Sequence, residues 1–109
     1  MKKFIIIISS VALAGCFASK KVVTPTDADV ARGAAKFSGY TLADLTEGKK
    51  LYEANCGSCH ALKKPTAENE ATWRREVPVM VKKVNKNSMV LDAHAEEMIL
   101  RYVVTMSGK

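Results

Sequence analysis

Cysteine and histidine are scarce in this chain of 109 residues, which carries three of the first and two of the second. Outside the pair Cys56 and Cys59 the only thiol is Cys16, and outside His60 the only imidazole is His94. A zinc finger or ribbon needs a second ligand pair at fixed spacing, and none is present. A thioredoxin-like pair would sit beside a βαβ pattern, whereas the flanking sequence has helical periodicity. A disulfide closed across two residues is strained. No stretch alternates at period two, so nothing argues for a sheet. No repeat or low-complexity tract occurs, and no Lys/Arg cluster interleaves with aromatics, which excludes nucleic-acid recognition.

What is present is the run Cys56-Gly57-Ser58-Cys59-His60. It is the C-x-x-C-H pattern of covalent haem attachment. Two thiols three positions apart add across the two vinyl groups of one porphyrin, and His60 follows as the proximal iron ligand. One haem c, covalently attached, is the cofactor this motif predicts.

The N-terminus argues for export. Met1-Lys2-Lys3 is a short basic region, and Phe4-Ile5-Ile6-Ile7-Ile8 opens an apolar stretch ending near Leu13. That stretch is too short for an ordinary membrane-spanning helix and has the form of a secretory signal. Its end, Leu13-Ala14-Gly15-Cys16, resembles the lipobox of bacterial lipoproteins. The resemblance implies cleavage before Cys16 and lipid on its sulfur. Each buried acyl CH₂ contributes about 0.8 kcal/mol, so two or three chains hold a protein stably at a membrane surface. The expected location is the bacterial cell envelope, with the domain on the periplasmic or outward side.

The division that follows is a signal peptide over 1–15, a lipidated Cys16 and tether over 16–40, and one domain over 41–109. Within the second part, residues 17–28 form a polar tether spanning roughly 20 Å. A chain this short buries a limited core, and a covalent haem supplies a large apolar body for helices to close around. The cysteine usage closes as well, with two thiols on haem and one on lipid. The net charge is +6, or +4 once Lys2 and Lys3 leave with the signal. That balance suits an acidic redox partner or an anionic lipid surface.

The periodicity predicts an all-α domain of three main helices. The first covers about Leu42 to Asn55 and delivers Cys56, with Leu45, Gly48 and Tyr52 at helical spacing. Gly48 invites close approach of another backbone, with Tyr102 as its partner. The second carries Trp73, Val77, Met80, Val81 and Val84 on one stripe, and Pro78 should kink or split it. The last runs from the N-cap Asp92 to Met106, with Ala95, Met98, Ile99, Tyr102, Val103 and Met106 on one face and a Glu97–Arg101 pair outside. A short helix over Asp27 to Phe37, with Val30, Ala34 and Phe37 on one side, precedes them.

Over about residues 40 to 106 the chain resembles a small class I, mono-haem cytochrome c of bacteria. The resemblance rests on Gly48-Lys49-Lys50-Leu51-Tyr52 before the Cys56–His60 motif, on Trp73…Val77…Met80, and on Ile99-Leu100-Arg101-Tyr102-Val103. It implies helices around a His/Met-ligated iron that passes single electrons between transient redox partners. It also implies Met80, seven after the tryptophan, as sixth ligand, and Pro65 as the carbonyl accepting from His60 Nδ1. Such a bond fixes ring orientation and raises ligand basicity.

Several readings stay open. Met89, in the polar loop before the last helix, is the rival sixth ligand, and His94 would make a bis-His site. With no side chain in the sixth position the protein would be a gas-binding or sensor module. A peroxidase-like enzyme needs a distal base, for which only His94 is available, so no enzymatic activity is expected. Trp73 packs on the porphyrin rim, reaches a propionate, or is a core residue. Lys49, Lys50, Lys63 and Lys64 either ring an electron-transfer edge or form a solvated surface.

Overall fold

Two threonines start the first half of the fold. In the computed structural model, which describes residues 24–57 and 60–109, Thr26 and Thr41 cap the helices α1 (Asp27–Ala34) and α2 (Leu42–Asn55). Each forms a reciprocal capping box, with Asp29 and Asp44 respectively, and so satisfies donors that a helix N-terminus leaves open. Asn69 and Asp92 do the same by single bonds for α3 (Glu70–Val84) and α4 (Ala93–Ser107). A 3₁₀ turn, Pro65–Ala67, leads into α3. No strand occurs among the described residues, so the fold is all-α. The signal peptide, Cys16, the tether to residue 23 and Cys59 lie outside them.

The short helix expected ahead of the three main ones is present as α1, and it packs on α4 as part of the body. Its contact residue is Gly33, where a Cβ would stand 2.6 Å from Thr105 Oγ1 and from the Tyr40 ring. Ala34, expected on the inner side, is exposed, and the helix ends three residues before Phe37. Phe37 and Tyr40 nevertheless enter the core. Phe37 lies between two guanidinium groups, Arg101 at 5.1 Å and Arg74 at 5.8 Å from its ring centre. The packed unit therefore starts near Pro25, well inside the stretch assigned to the tether. Local periodicity could not report these contacts, because they join residues far apart in sequence.

Helix α4 is the centre of the body, and α2 shares its largest interface with it. All six residues of its apolar stripe are buried, as are Val104 and Thr105. Gly48 makes the closest approach: a Cβ there would collide with the Met98 carbonyl oxygen and stand 2.8 Å from Tyr102 Cβ. The expected partnership of Gly48 with Tyr102 is thus observed, one turn of α4 being involved rather than one residue.

Helix α3 runs unbroken through Pro78 and is not split. The proline costs one hydrogen bond, to the carbonyl of Arg74. Both residues lie on the exposed side, where water can meet that carbonyl. Trp73, Val77 and Val81 face inward, with Met80 and Val84 half-buried beside them.

Candidate functional site

Helix α2 ends at Cys56, whose N–H donates to Tyr52 O at 2.9 Å. This places the first thiol of the motif in the core, beside Tyr52 and Trp73 in one apolar cluster. Burial pushes the thiol up to about 11, so in this state it stays protonated and a weak nucleophile.

His60 is exposed, and its Nδ1 lies 2.8 Å from the carbonyl oxygen of Ala61. A carbonyl only accepts, so Nδ1 is the donor in this contact. A metal-binding imidazole is bonded in this way at one nitrogen and binds through the other. No described residue bonds Nε2.

The loop after His60 is held by two aromatic donors from the core. Tyr52 Oη donates to Lys63 O at 2.7 Å, and Trp73 Nε1 donates to Pro65 O at 2.8 Å. The two rings meet edge to face at 6.0 Å, and Tyr52 also touches Tyr102 at 5.7 Å. Lys63 adds ion pairs to Glu68 at 3.0 Å and to Glu76 on α3 at 3.5 Å.

The carbonyl expected to meet His60, that of Pro65, makes a different bond in this structure. The carbonyl that meets His60 Nδ1 belongs to Ala61, while that of Pro65 accepts from Trp73. Trp73 is fully enclosed, so its indole N–H needs an acceptor, and the 3₁₀ turn presents one. Trp73 is accordingly a core residue whose N–H is engaged within the chain.

The candidate sixth ligands separate. Met80 is half-buried against the core and stands one turn after Glu76, so the two share a face of α3. The Glu76–Lys63 pair joins that face to the loop following His60. Met89 is 78% exposed, with its sulfur 3.5 Å from Asn85 Nδ2. His94 is exposed and its Nε2 lies 3.2 Å from Glu47 Oε1. Among the lysines expected near the motif, Lys49 pairs with Glu53 at 2.9 Å and Lys63 is paired as above. Lys50 and Lys64 have no ion pair among the described residues.

Two arrangements had no sequence expectation. Asn85 organises the loop before α4: its Oδ1 accepts from Val90 N at 3.0 Å and Leu91 N at 2.8 Å, and its Nδ2 donates to Leu91 O. A polar residue at the C-cap of a basic helix is the only hint the sequence carried. Asp29 is buried at the joint of α1 and α4, where Arg32 Nη2 donates to it at 2.8 Å while Arg32 Nε reaches Thr105 O at 3.0 Å. The i, i+3 spacing of Asp29 and Arg32 was the available signal.

The described residues contain no cluster of three or more His, Cys, Asp or Glu that could hold a metal ion by themselves. What the described residues do supply is a buried thiol, Cys56, at the end of α2, an exposed imidazole, His60, after it, and a half-buried thioether, Met80, on α3. None of the described helices is long and apolar enough to cross a membrane. No family model, curated protein or solved structure matches the chain.

Proposed function

We propose that this protein is a c-type cytochrome, anchored by lipid at Cys16 in the bacterial cell envelope, that carries single electrons between redox partners. The observation that carries the reading is the hydrogen bond of His60. Within the motif Cys56-Gly57-Ser58-Cys59-His60, the Ala61 carbonyl accepts from Nδ1, which supports a reading in which Nε2 is the nitrogen that meets iron.

The chemistry supplied by a bound haem is one-electron exchange at its iron. The chain's own residues do the rest. Cys56 and Cys59 supply the two thioether attachments. His60 would hold the iron, with its ring oriented by the bond to Ala61. Met80 is the proposed second ligand, because its thioether lies on the α3 face that Glu76 ties to Lys63. A thioether is a weak donor that favours Fe(II) and raises the potential relative to two imidazoles. Tyr52 and Trp73 hold the loop after His60 at two carbonyls, which would limit its rearrangement on electron exchange.

The visible spectrum of the oxidised protein tests this. A methionine–iron charge-transfer band at the red edge is expected, lost in Met80→Ala and retained in Met89→Ala. A high-spin spectrum that shifts when carbon monoxide is added to the reduced protein would replace the electron carrier with a gas-binding module.

A further inference from the structure

The cations of this domain are distributed unevenly between paired and unpaired. Arg32, Lys36, Lys49, Lys63, Arg74, Arg101 and Lys109 each have a carboxylate within ion-pair distance. Lys50 and Lys64 have none among the described residues, and neither have Arg75, Lys82, Lys83 and Lys86, the last four exposed on α3 and just past its end. The numbering of those four is the repeat of one helix face, extended by Lys86 just past the end of α3. Val79, 51% exposed, lies in the middle of that face. Beside it runs an open groove of about 720 Å³ lined by Val79, Lys82, Lys83, Asn85 and Lys86, with Glu96 as the one acid. Asn85 in turn touches the exposed Met89, and Val90 next to it is also exposed.

We infer that this outer face of α3 rests on an anionic phospholipid surface. Cationic side chains with a few apolar ones among them form the pattern of an interfacial helix. An anionic surface attracts such a face at about fivefold in partitioning for each lysine or arginine that reaches it. An acidic protein offers the same charge, but the anchor decides between the two. A domain tied at Cys16 never leaves the neighbourhood of the membrane, so a weak contact becomes an intramolecular one. The inference rests on the proposed lipid anchor. Its consequence is orientation: the tethered domain lies with α3 toward the lipid and its other faces toward partners.

The full-length protein, reconstituted in vesicles of phosphatidylcholine or of phosphatidylcholine with phosphatidylglycerol, is labelled with an amine-reactive reagent and read lysine by lysine by mass spectrometry. Lys82, Lys83 and Lys86 should react about fivefold or more slowly on the anionic vesicles. Lys50 and Lys64 should be unchanged, and high salt should restore the rates. The double variant Lys82→Glu, Lys83→Glu should lose the protection at Lys86. Equal rates on both vesicles, or equal protection of Lys50 and Lys64, would overturn the inference. Protection of the three lysines by soluble poly-glutamate but not by anionic vesicles would assign the face to an acidic protein and overturn it as well. The anchor is read separately, from co-sedimentation with pure phosphatidylcholine vesicles. If that fails, binding to the anionic vesicles alone still supports the face, and its absence still overturns it.

Discussion

Trp73 and Pro65 are joined by a hydrogen bond of 2.8 Å that links the core of α3 to the loop following His60. The indole is fully buried, so its N–H has no water to turn to if the bond is lost. Trp73→Phe keeps most of the packing and removes the donor, and is expected to cost about 1 kcal/mol for the bond plus the loss of ring volume. Trp73→Ala should cost about 3–5 kcal/mol. Urea midpoints of the two variants check the order, which reverses only if the ring is poorly packed.

Gly48→Ala should destabilise the fold, against the ordinary trend. In an exposed helix interior the exchange gains up to about 1 kcal/mol. Here the added methyl meets the Met98 carbonyl and Tyr102, and relieving such overpacking costs about 1–3 kcal/mol. Backbone cannot step aside as a flexible side chain can, so the larger figure applies. A raised thermal midpoint for Gly48→Ala would contradict the α2–α4 packing.

Asp29 makes the joint of α1 and α4 sensitive to acid. Burial pushes its carboxyl up, but the bonds from Arg32 and Thr26, with the nearby charge of Lys109, outweigh this and hold it below the ordinary aspartate range. A carboxyl depressed by folding stabilises the native state above its unfolded pKa of about 3.9. That contribution is lost as the pH falls through the folded value. Asp29→Asn should therefore be less stable at neutral pH and lack this part of the acid loss. Stability curves that run parallel from neutral pH into acid would contradict the assignment.

Cys56 should be a sluggish thiol in folded, haem-free protein. With the thiol up at about 11, thiolate is scarce at neutral pH, whereas an unfolded cysteine ionises near about 8.5. Alkylation by iodoacetamide should be slower than in the urea-unfolded chain, and its rate should climb as pH approaches 11. Equal rates in both states would mean that the end of α2 is not packed as described.

The sequence reading and the structure agree where local rules decide. Helices α2 and α4 fall where their apolar stripes and, for α4, the cap Asp92 put them, because a 3.6-residue period runs through each. The reading failed where contacts are long-range. Gly33 against Thr105, Phe37 between Arg74 and Arg101, and Trp73 on Pro65 join elements that no window of sequence contains. Pro78 is expected to kink or split its helix, and the continuous packing of Trp73, Val77 and Val81 keeps α3 in one piece. Of the candidate site, the residue types and the order of the motif were legible. The bonds from Tyr52 to Lys63 and from Trp73 to Pro65 were not, since they join the core to a loop by tertiary packing.

The most direct test of the proposed cytochrome is acid–butanone extraction of the protein purified from membranes, followed by spectra of both phases. Haem that stays with the polypeptide, and is lost from it only in a Cys56→Ser, Cys59→Ser variant, is the predicted result. Haem that passes wholly into the organic phase, or protein purified with none, would contradict covalent attachment at Cys56 and Cys59.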